Sequence, residues 1–209
     1  MANISRRKFL VSAAVLPLVA IIPLKALATT GQIHEIEGDV FINKIKINSA
    51  SIIRNGDEVV VSKNGKLVFV MGEDAFLVRG GSTLRVYSED GSVVISALRL
   101  VGGAMLGVFG KRKKTTRIFT ATATIGIRGT AMYAAVSPGK LYTCTSYGHT
   151  DLIVGRARKK VVSTHHNPHI VTTGKNGKAQ MKAFQMQDNN DDELRMLEAL
   201  VGRKPLFNS

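Results

Sequence analysis

Cysteine is nearly absent from this chain of 209 residues, which has one, Cys144. A single cysteine can form no disulfide within the chain, so the core must hold without covalent cross-links. Three interpretations of the thiol stay open: a small buried apolar side chain, a partner in an intermolecular disulfide, or a ligand of a metal ion or haem. Burial is the commonest outcome for an unpaired cysteine.

Acidic residues and tryptophan are also scarce. The chain has 29 Lys and Arg against 15 Asp and Glu, a net charge of +14, and it has no Trp. Such a charge favours partners of opposite sign, which include acidic proteins, acidic polymers and anionic lipid surfaces. No basic run is interleaved with aromatic residues in the manner of nucleic-acid-binding segments, so we do not expect nucleic acid to be the partner.

Long apolar runs are missing except at the N-terminus. There Arg6 and Arg7, followed by Lys8-Phe9-Leu10, precede an apolar run over residues 11–24, and Ala26-Leu27-Ala28 follows. A basic, then apolar, then small-residue order is typical of an export signal, and the paired arginines indicate the twin-arginine type. We therefore expect residues 1–28 to be a signal peptide and the mature protein to be periplasmic.

The alternative for this leader is an uncleaved membrane anchor. The run is shorter than the ~20 residues that a bilayer span needs, and Pro17 and Pro23 interrupt it, so cleavage after Ala28 is favoured. No cysteine lies near the junction, which excludes attachment through a lipid-modified N-terminal cysteine. Cleavage would remove four basic residues and no acid, which leaves 181 residues with a net charge of +10.

Short apolar runs separated by turn residues make up the chain that follows. Turn pairs recur about every ten residues, at Asn55-Gly56, Asn64-Gly65, Gly80-Gly81 and Asp90-Gly91, and a further one is Asn176-Gly177. A glycine-dense segment at 102–110 separates two of the runs. This pattern predicts an all-β domain, either a β-roll or solenoid-like fold or a sandwich of short strands.

One helix is predicted, near the C-terminus. Asn190 can cap it with Glu193 completing a capping box, apolar residues form a stripe from Leu194 to Val201, and Gly202 ends it. We expect this helix to close one end of the β roll and hide its exposed edge or its bottom layer, with Leu206-Phe207 tucked back onto the body. A helix that docks a partner is the weaker alternative.

The segment from Ile118 to Tyr133 alternates threonine with small or β-branched apolar residues, which predicts a central strand. Gly126 and Gly129 interrupt it and indicate a bulge, a bend or a close approach of another backbone. Arg128 lies between them, and its five donors could reach carbonyl and carboxylate groups of neighbouring strands. We expect a structural motif of Gly126, Arg128, Gly129 and Thr130 with Arg128 buried as an internal clamp. An exposed guanidinium would count against the assignment.

This segment resembles the most characteristic part of the FecR domain family, in which small residues run into Arg-Gly-Thr and a strand. Three earlier segments fit the family in the same order, Gly38-Asp39-Val40, residues 53–59 and residues 82–86, so the resemblance covers about 37–154. It implies an all-β domain, which we place at 29–187, with successive strands coiling into a roll. The helix and tail then occupy 188–209, and we expect a non-enzymatic binding or regulatory module without catalytic residues.

Membrane-bound FecR regulators hold a sigma factor through a cytoplasmic helical segment that precedes the membrane span. Here only a few residues precede the apolar run of the leader. We therefore expect no sigma-factor binding, and the resemblance does not extend to transcriptional regulation.

Two basic runs are candidates for binding a protein or an acidic polymer. They are Lys111, Arg112, Lys113 and Lys114, and Arg156, Arg158, Lys159 and Lys160. Charge runs are most often solvated loop tips, and the alternative is that the two runs define one binding face. The glycine-dense stretch before the first run is not a phosphate loop, because it lacks the Gly-Lys-Ser ending and a following helix.

A less favoured candidate is a metal or haem site. Its residues would be Cys144, His149, His165, His166 and His169, whose thiol and imidazole groups suit zinc, copper or haem iron. Their spacing matches no known ligand motif, and on the extended chain that Pro168 favours, His165 and His169 share a face while His166 points away. Surface histidines and a half-buried cysteine are the plainer interpretation. A catalytic Cys-His pair is less favoured still, because no orienting third group can be identified.

Overall fold

The computed structural model describes residues 30–89, 92, 94–173 and 178–207. The predicted signal peptide and the predicted turns at Asp90-Gly91 and Asn176-Gly177 lie outside these residues. Among the residues described, no helix is both long enough and apolar enough to span a bilayer.

Strands make up most of the described chain, and one α-helix, α1 (Asp191–Leu200), follows them. The predicted all-β class with a C-terminal helix is thereby confirmed. The strands are β1 (Gly31–Glu37), β2 (Val40–Ile42), β3 (Ile45–Lys46), β4 (Ile52–Ile53), β5 (Glu58–Val61), β6 (Lys66–Met71), β7 (Asp74–Arg79), β8 (Thr83–Ser88), β9 (Ile95–Val108), β10 (Thr116–Phe119), β11 (Thr124–Ile127), β12 (Ala131–Ser137), β13 (Lys140–Val154), β14 (Ala157–Ser163), β15 (Asn167–Thr173) and β16 (Ala179–Ala183).

The strands form two sheets that share their two longest strands. Sheet A has the order β4-β1-β6-β7-β9-β12-β13-β15-β16, and sheet B has the order β3-β2-β5-β8-β9-β10-β11-β13-β14. The ring of pairings β9-β10-β11-β13-β12 closes into a small barrel. The β9–β10 pair is parallel and the other pairs are antiparallel. Because β9 and β13 belong to both sheets, the two layers form one structural unit.

Glycines allow the long strands to bend from one sheet into the other. The segment 102–110, which the sequence placed between strands, instead forms the second half of β9 as far as Val108. Gly103 has a φ of +80°, and a Cβ there would lie 2.4 Å from the Cα of Ser82. The Ser82 hydroxyl donates to the Ala104 carbonyl at 3.0 Å and accepts from the Ala104 N–H at 2.8 Å. The contact with Ser82 therefore requires glycine at position 103.

Apolar side chains from both sheets fill the space between them. Leu67 and Phe69 of sheet A and Leu98 of sheet B are fully buried in this cluster. Phe69 stacks on Phe76 with ring centroids 4.8 Å apart, and Phe109 meets Phe76 edge-on at 5.4 Å. Burying a side chain of this size contributes about 1.5–3 kcal/mol, so a core of this extent can stabilise the domain without a disulfide.

Helix α1 packs on the outer face of sheet A. Leu194 and Leu197 are fully buried in a second apolar cluster with Leu77 and Leu106, which lie on strands β7 and β9. Of the two predicted positions, the exposed edge is therefore wrong, since the helix covers a layer of the sheet. The reason is that these strands are apolar on both faces, so the helix is needed to cover the face that the core does not use.

The predicted helix ends are confirmed. The Asn190 side chain accepts from the Glu193 N–H at 2.9 Å, and Gly202, with a φ of +69°, follows the C-cap. Only half of the predicted capping box forms, because the Glu193 carboxylate accepts from Arg79 at 2.7 Å. In the tail, Phe207 packs against Tyr147, as predicted for a tail tucked onto the body.

Polar contacts also fix the C-terminal end of α1. Glu198 is 3% exposed, and its carboxylate accepts from the Tyr147 hydroxyl and, at 2.6 Å, from Arg203. Arg203 also donates to the Glu73 carbonyl at 2.7 Å. The end of the helix is thereby bound to both β13 and the β6–β7 turn.

The segment 118–133 is not the single strand that its pattern predicts. Strand β10 ends at Phe119, a turn and β11 follow, and after Arg128-Gly129 the chain enters β12 of sheet A. Gly129 has a φ of +64°, and a Cβ there would lie 2.9 Å from the Cα of Lys111. The close backbone approach predicted from the glycines is confirmed at this position, which is a crossing between the sheets.

Replacing Gly148 with alanine should lower the free energy of unfolding by about 2–4 kcal/mol. Gly148 has a φ of +82°, and a Cβ there would lie 2.7 Å from Oγ1 of Thr130. The left-handed backbone costs alanine roughly 1 kcal/mol, and the steric overlap in a packed region adds the remainder. Urea denaturation of the two proteins measures the difference.

Gly155→Ala is the matched control, because Gly155 has a φ of +56° and open space where the Cβ would lie. Its expected loss is the backbone cost alone, about 1 kcal/mol. Equal losses in the two variants would show that the bend of β13 does not depend on close contact with Thr130.

Candidate functional site

The outer face of sheet B carries a row of basic side chains. One row of paired residues crosses the sheet from β8 to β14. It begins with Arg85 opposite Arg99, continues to Phe119 on β10, and ends, after one residue each on β11 and β13, at Arg158 on β14. A second row leads from Arg117 through Gly126 and Asp151 to Lys160. We call this surface, with its residues Arg85, Arg99, Arg117, Arg158 and Lys160, the basic face. Adjacent strands are about 4.8 Å apart, so five intervals make it roughly 24 Å wide.

Part of the charge of the basic face is compensated and part is not. Arg85 donates to Glu58 and Arg158 donates to Asp151, each at 2.7 Å. The bond from Arg158 holds the pKa of the Asp151 carboxyl below its usual range. In the part of the chain that the structure describes, Arg99, Arg117 and Lys160 have no carboxylate within 4 Å. Three cations of this surface are therefore available to a partner.

Apolar side chains lie on the same surface. Phe119 is 41% exposed beside Arg99, and Val162, two residues beyond Lys160 on the edge strand, is 60% exposed. Arginine together with an aromatic residue is the composition that protein interfaces favour. The surface is therefore both charged and partly apolar.

The two predicted basic runs do not form one cluster. Lys113 and Lys114 precede the start of β10, whereas Arg156 lies in the β13–β14 turn, beyond the opposite end of that strand. Lys111, Lys113 and Lys114 are exposed, and Lys114 pairs with Glu89 at 2.9 Å. Lys159 is half-buried. The two runs lie towards opposite ends of β10, and Arg99 and Arg117, which lie between them on sheet B, belong to neither run.

An open cleft of about 490 Å³ lies beside the basic face at the start of β10. Lys113, Lys114 and Arg117 line it, together with Glu89 and Ser96. Two of these three cations belong to the predicted run and one to the basic face. The exposed part of the first run therefore extends the surface at one end.

The clamp that the sequence placed at Arg128 is instead formed by Arg112, whose side chain is 11% exposed. Its guanidinium donates to the Asp74 carboxylate and, at 2.8 Å each, to the Ile95 carbonyl and Oγ1 of Thr116. Asp74 is fully buried and also accepts from the Gly110 N–H at 2.9 Å. Burial raises the pKa of the Asp74 carboxyl, against the opposing effect of Arg112. Arg112 is therefore structural and is removed from the candidate binding residues.

Arg128 is exposed, so the predicted clamp at this position is wrong, and the exposed guanidinium counts against the FecR assignment. Its Nε donates to Oγ1 of Thr115 at 2.9 Å. The reason is the break after β11, which turns the side chain outward where the chain leaves sheet B. The other motif residues are structural, as expected: Gly126 is buried between neighbouring strands, and the buried Thr130 hydroxyl donates to the Tyr147 carbonyl.

Two of the five candidate metal ligands come together, and an unexpected aspartate joins them. Nε2 of His165 lies 3.0 Å from Oδ1 of Asp191, and Nε2 of His166 lies 2.8 Å from the same oxygen. Burial raises the pKa of the Asp191 carboxyl, but the hydrogen bonds from both imidazoles outweigh it and hold the pKa below the usual range. Asp191 could not be identified from the sequence, because it lies 25 residues from His166 and reaches it only when α1 packs on sheet A.

The remaining candidates are separate from this pair. His169 is 4% exposed, its Nδ1–H donates to the Asn167 carbonyl at 3.3 Å, and burial lowers its pKa. His149 is opposite Val162 in the β13–β14 ladder of sheet B. The predicted sharing of a face by His165 and His169 is wrong, because β15 begins only at Asn167 and His166 has a left-handed φ of +52°.

Cys144 contacts His166 on the side of the ring away from Asp191. Its Sγ lies 3.7 Å from Nδ1 of His166, and Nε2 of the same ring contacts Asp191. A thiol, an imidazole and a carboxylate in this order are also the nucleophile, the base and the orienting acid of cysteine enzymes. The thiol, however, is fully buried, and burial raises its pKa to about 11. A neutral sulfur enclosed by protein has no access to a substrate, so this arrangement does not support nucleophilic catalysis. Burial of Cys144 is the first of the three interpretations given above.

No protein-family model and no curated protein matches the sequence. The fold is similar to two crystal structures of candidate anti-sigma factors from Parabacteroides distasonis ATCC 8503. One is 13% identical with a TM-score of 0.51, over 60% of this chain and 59% of that chain. The other is 12% identical with a TM-score of 0.52, over 68% of this chain and 64% of that chain. The matches span less than two thirds of those chains and show a shared fold.

Arg112→Met should destabilise the protein by about 3–5 kcal/mol, because it leaves the Asp74 carboxylate buried without its partner. Lys113→Met is the matched control, since Lys113 is adjacent and exposed, and its effect should stay within about 0.5 kcal/mol. Thermal or urea unfolding measures both. Similar small effects would show that Arg112 is a solvated loop residue after all.

Iodoacetamide should leave Cys144 unmodified in the native protein near neutral pH and alkylate it in denaturing urea. The physical reason is that the thiol is fully buried and its pKa of about 11 keeps it protonated. Mass spectrometry of the intact chain gives the result. Rapid alkylation of the native protein would mean that the thiol is accessible and would reopen its role as a nucleophile.

Proposed function

We propose that this chain is an exported, non-enzymatic binding module of the FecR type, and that its basic face binds an acidic protein in the periplasm. Export is proposed from the twin-arginine leader, and the family from the ordered motifs at 37–154. In this proposal, the roll expected for the FecR family corresponds to the chain passing back and forth between sheets A and B through its short strands. The observation that supports the binding function is that α1 covers the outer face of sheet A but not the outer face of sheet B.

Sheet A and sheet B differ in what lies on their outer faces. The outer face of sheet A is apolar and is covered by α1 of the same chain. The outer face of sheet B instead carries Arg99, Arg117 and Lys160, which have no acidic partner within 4 Å in the described part of the chain. A surface that keeps three cations uncompensated attracts acidic partners and raises their association rate.

An acidic protein fits this surface better than an acidic polymer. A flexible polyanion needs charge alone, whereas Phe119 and Val162 add exposed apolar area between and beside the cations. Burial of apolar and aromatic side chains such as these at the centre of an interface supplies much of the affinity between proteins. Binding of a polyanion alone is the competing outcome that an experiment must separate.

The structural neighbours are compatible with a regulatory module, since they are candidate anti-sigma factors. We do not extend a sigma-factor partner to this chain, because the proposed export would separate the domain from the cytoplasm. The support that we take from these neighbours is the shared all-β fold.

Arg99→Glu, Arg117→Glu and Lys160→Glu together should weaken binding to immobilised polyglutamate, used as a mimic of an acidic protein, by at least about tenfold. Each exposed charge contact is worth about 0.5 kcal/mol, so three lost contacts give about 1.5 kcal/mol before any repulsion. The salt concentration needed for elution should fall accordingly. Heparin as a second matrix separates general polyanion binding from preference for the acidic peptide.

The control is Lys63→Glu, Lys140→Glu and Lys182→Glu, which makes the same change in net charge at exposed positions away from the basic face. This variant should elute close to the unmodified protein. Equal weakening in both variants would mean that net charge alone drives binding, and the proposed site would be wrong. Tighter retention on heparin than on polyglutamate would favour a sulfated polysaccharide over an acidic polypeptide as the partner.

A further inference from the structure

The side chains of the consecutive residues His165 and His166 lie on the same side of the backbone, which an extended chain does not allow. Consecutive residues on a strand point to opposite sides. His166 instead has a φ of +52°, a left-handed conformation that non-glycine residues rarely adopt, and the rings of His165 and His166 lie side by side with centroids 4.4 Å apart. Backbone strain that brings two imidazoles together points to a function for the pair.

Three ligand atoms converge at this position. Nε2 of His165 lies 3.0 and 3.1 Å from the two carboxylate oxygens of Asp191, and Nε2 of His166 lies 2.8 Å from Oδ1. All three ligand atoms lie within 4.8 Å of one another. A tetrahedral ion with bonds of about 2.1 Å holds its ligands about 3.4 Å apart, so the two histidine–aspartate separations would have to widen by roughly half an ångström to admit it.

We propose that His165, His166 and Asp191 bind a divalent transition-metal ion, with zinc the best match, and that the ion fastens helix α1 to the start of β15. Two imidazoles and one carboxylate suit zinc, copper and nickel, whereas calcium and magnesium prefer oxygen ligands alone. Three protein ligands leave a fourth position for water. The side chain of His165 is 46% exposed, which gives an ion access from solvent.

Groups outside the ligand set hold the two rings in place. Nδ1 of His166 lies 3.7 Å from Sγ of Cys144, so with Nε2 on the ion the Nδ1–H can donate to the sulfur. The His165 ring packs on Phe207 with centroids 4.5 Å apart. Cys144 lies behind the ring and cannot reach the ion that Nε2 binds, so it supports the site without being a ligand.

The charges around the site do not oppose a cation. The first turn of α1 holds Asp191, Asp192 and Glu193, which offset the positive end of the helix dipole. Arg195 is the nearest competing cation, but its Nη2 is 3.9 Å from Asp191, and its closer contact is with Asp192 at 2.9 Å. An ion can therefore bind without displacing a strong ion pair.

The test uses the purified full chain without an affinity tag, stripped with a chelator and titrated with zinc by calorimetry. We expect one zinc per chain, and thermal unfolding should shift upward by about 5–10 °C at roughly one hundred times the dissociation constant. Cobalt in place of zinc should give the visible absorption of a four-coordinate site. Absence of zinc binding at a large molar excess would overturn the proposal.

Matched variants locate the ion. Asp191→Asn and His165→Ala should each weaken zinc binding by at least about tenfold, since even outer partners of metal ligands cost 10–100-fold. His34→Ala, an exposed histidine far along the chain, is the control and should leave affinity unchanged. Should Asp191→Asn fail to fold, the half-exposed His165 still provides the test. Unchanged affinity in His165→Ala would overturn the assignment.

Discussion

Burial of both faces of sheet A is the constraint on which the rest of the structure depends. Strands β7 and β9 carry apolar side chains on alternate sides, so one set packs into the core and the other needs a second cover. Helix α1 provides that cover with Leu194 and Leu197. Sheet B has no such requirement, because its outer face is mainly charged, with Phe119 and Val162 among its large exposed apolar side chains, and it remains accessible.

The same constraint positions the side chains that can act chemically. Packing of α1 on sheet A brings Asp191 to His165 and His166 and encloses Cys144 beneath them. It also sets the contact of Glu198 with Tyr147 and Arg203. Apolar burial therefore determines which polar groups meet, and the polar groups then fix the helix in one register. The two candidate sites lie on different sheets for this reason.

Local signals in the sequence predicted local structure well. Turn pairs and alternation were enough for the short strands, and Asn190 and Gly202 were enough for the ends of α1. The failures all depend on contacts between distant segments. Segment 102–110 was misassigned because a strand that bends at glycine looks like a loop in one dimension. Arg112 and Arg128 were exchanged because nothing local distinguishes a buried arginine from an exposed one, and Asp74 lies 38 residues from Arg112.

The candidate sites were predictable only in part, for the same reason. The histidines were identified, but their acidic partner comes from a helix later in the chain. The basic runs were identified, but Arg99 and Arg117 occur singly in sequence and become neighbours of the other cations only across the ladder of sheet B. Runs of charge are visible in one dimension, whereas a charged sheet face is built from alternate residues of several strands.

Strand β14 forms an edge of sheet B, with one side of its backbone free of a strand partner. Such an edge can template growth of the sheet by a second copy of the chain, and lysine and arginine side chains along it are a known defence. Arg156, Arg158, Lys159 and Lys160 lie on or beside this edge. Mutual repulsion between two such strands opposes growth of the sheet through this edge, whatever else these cations bind.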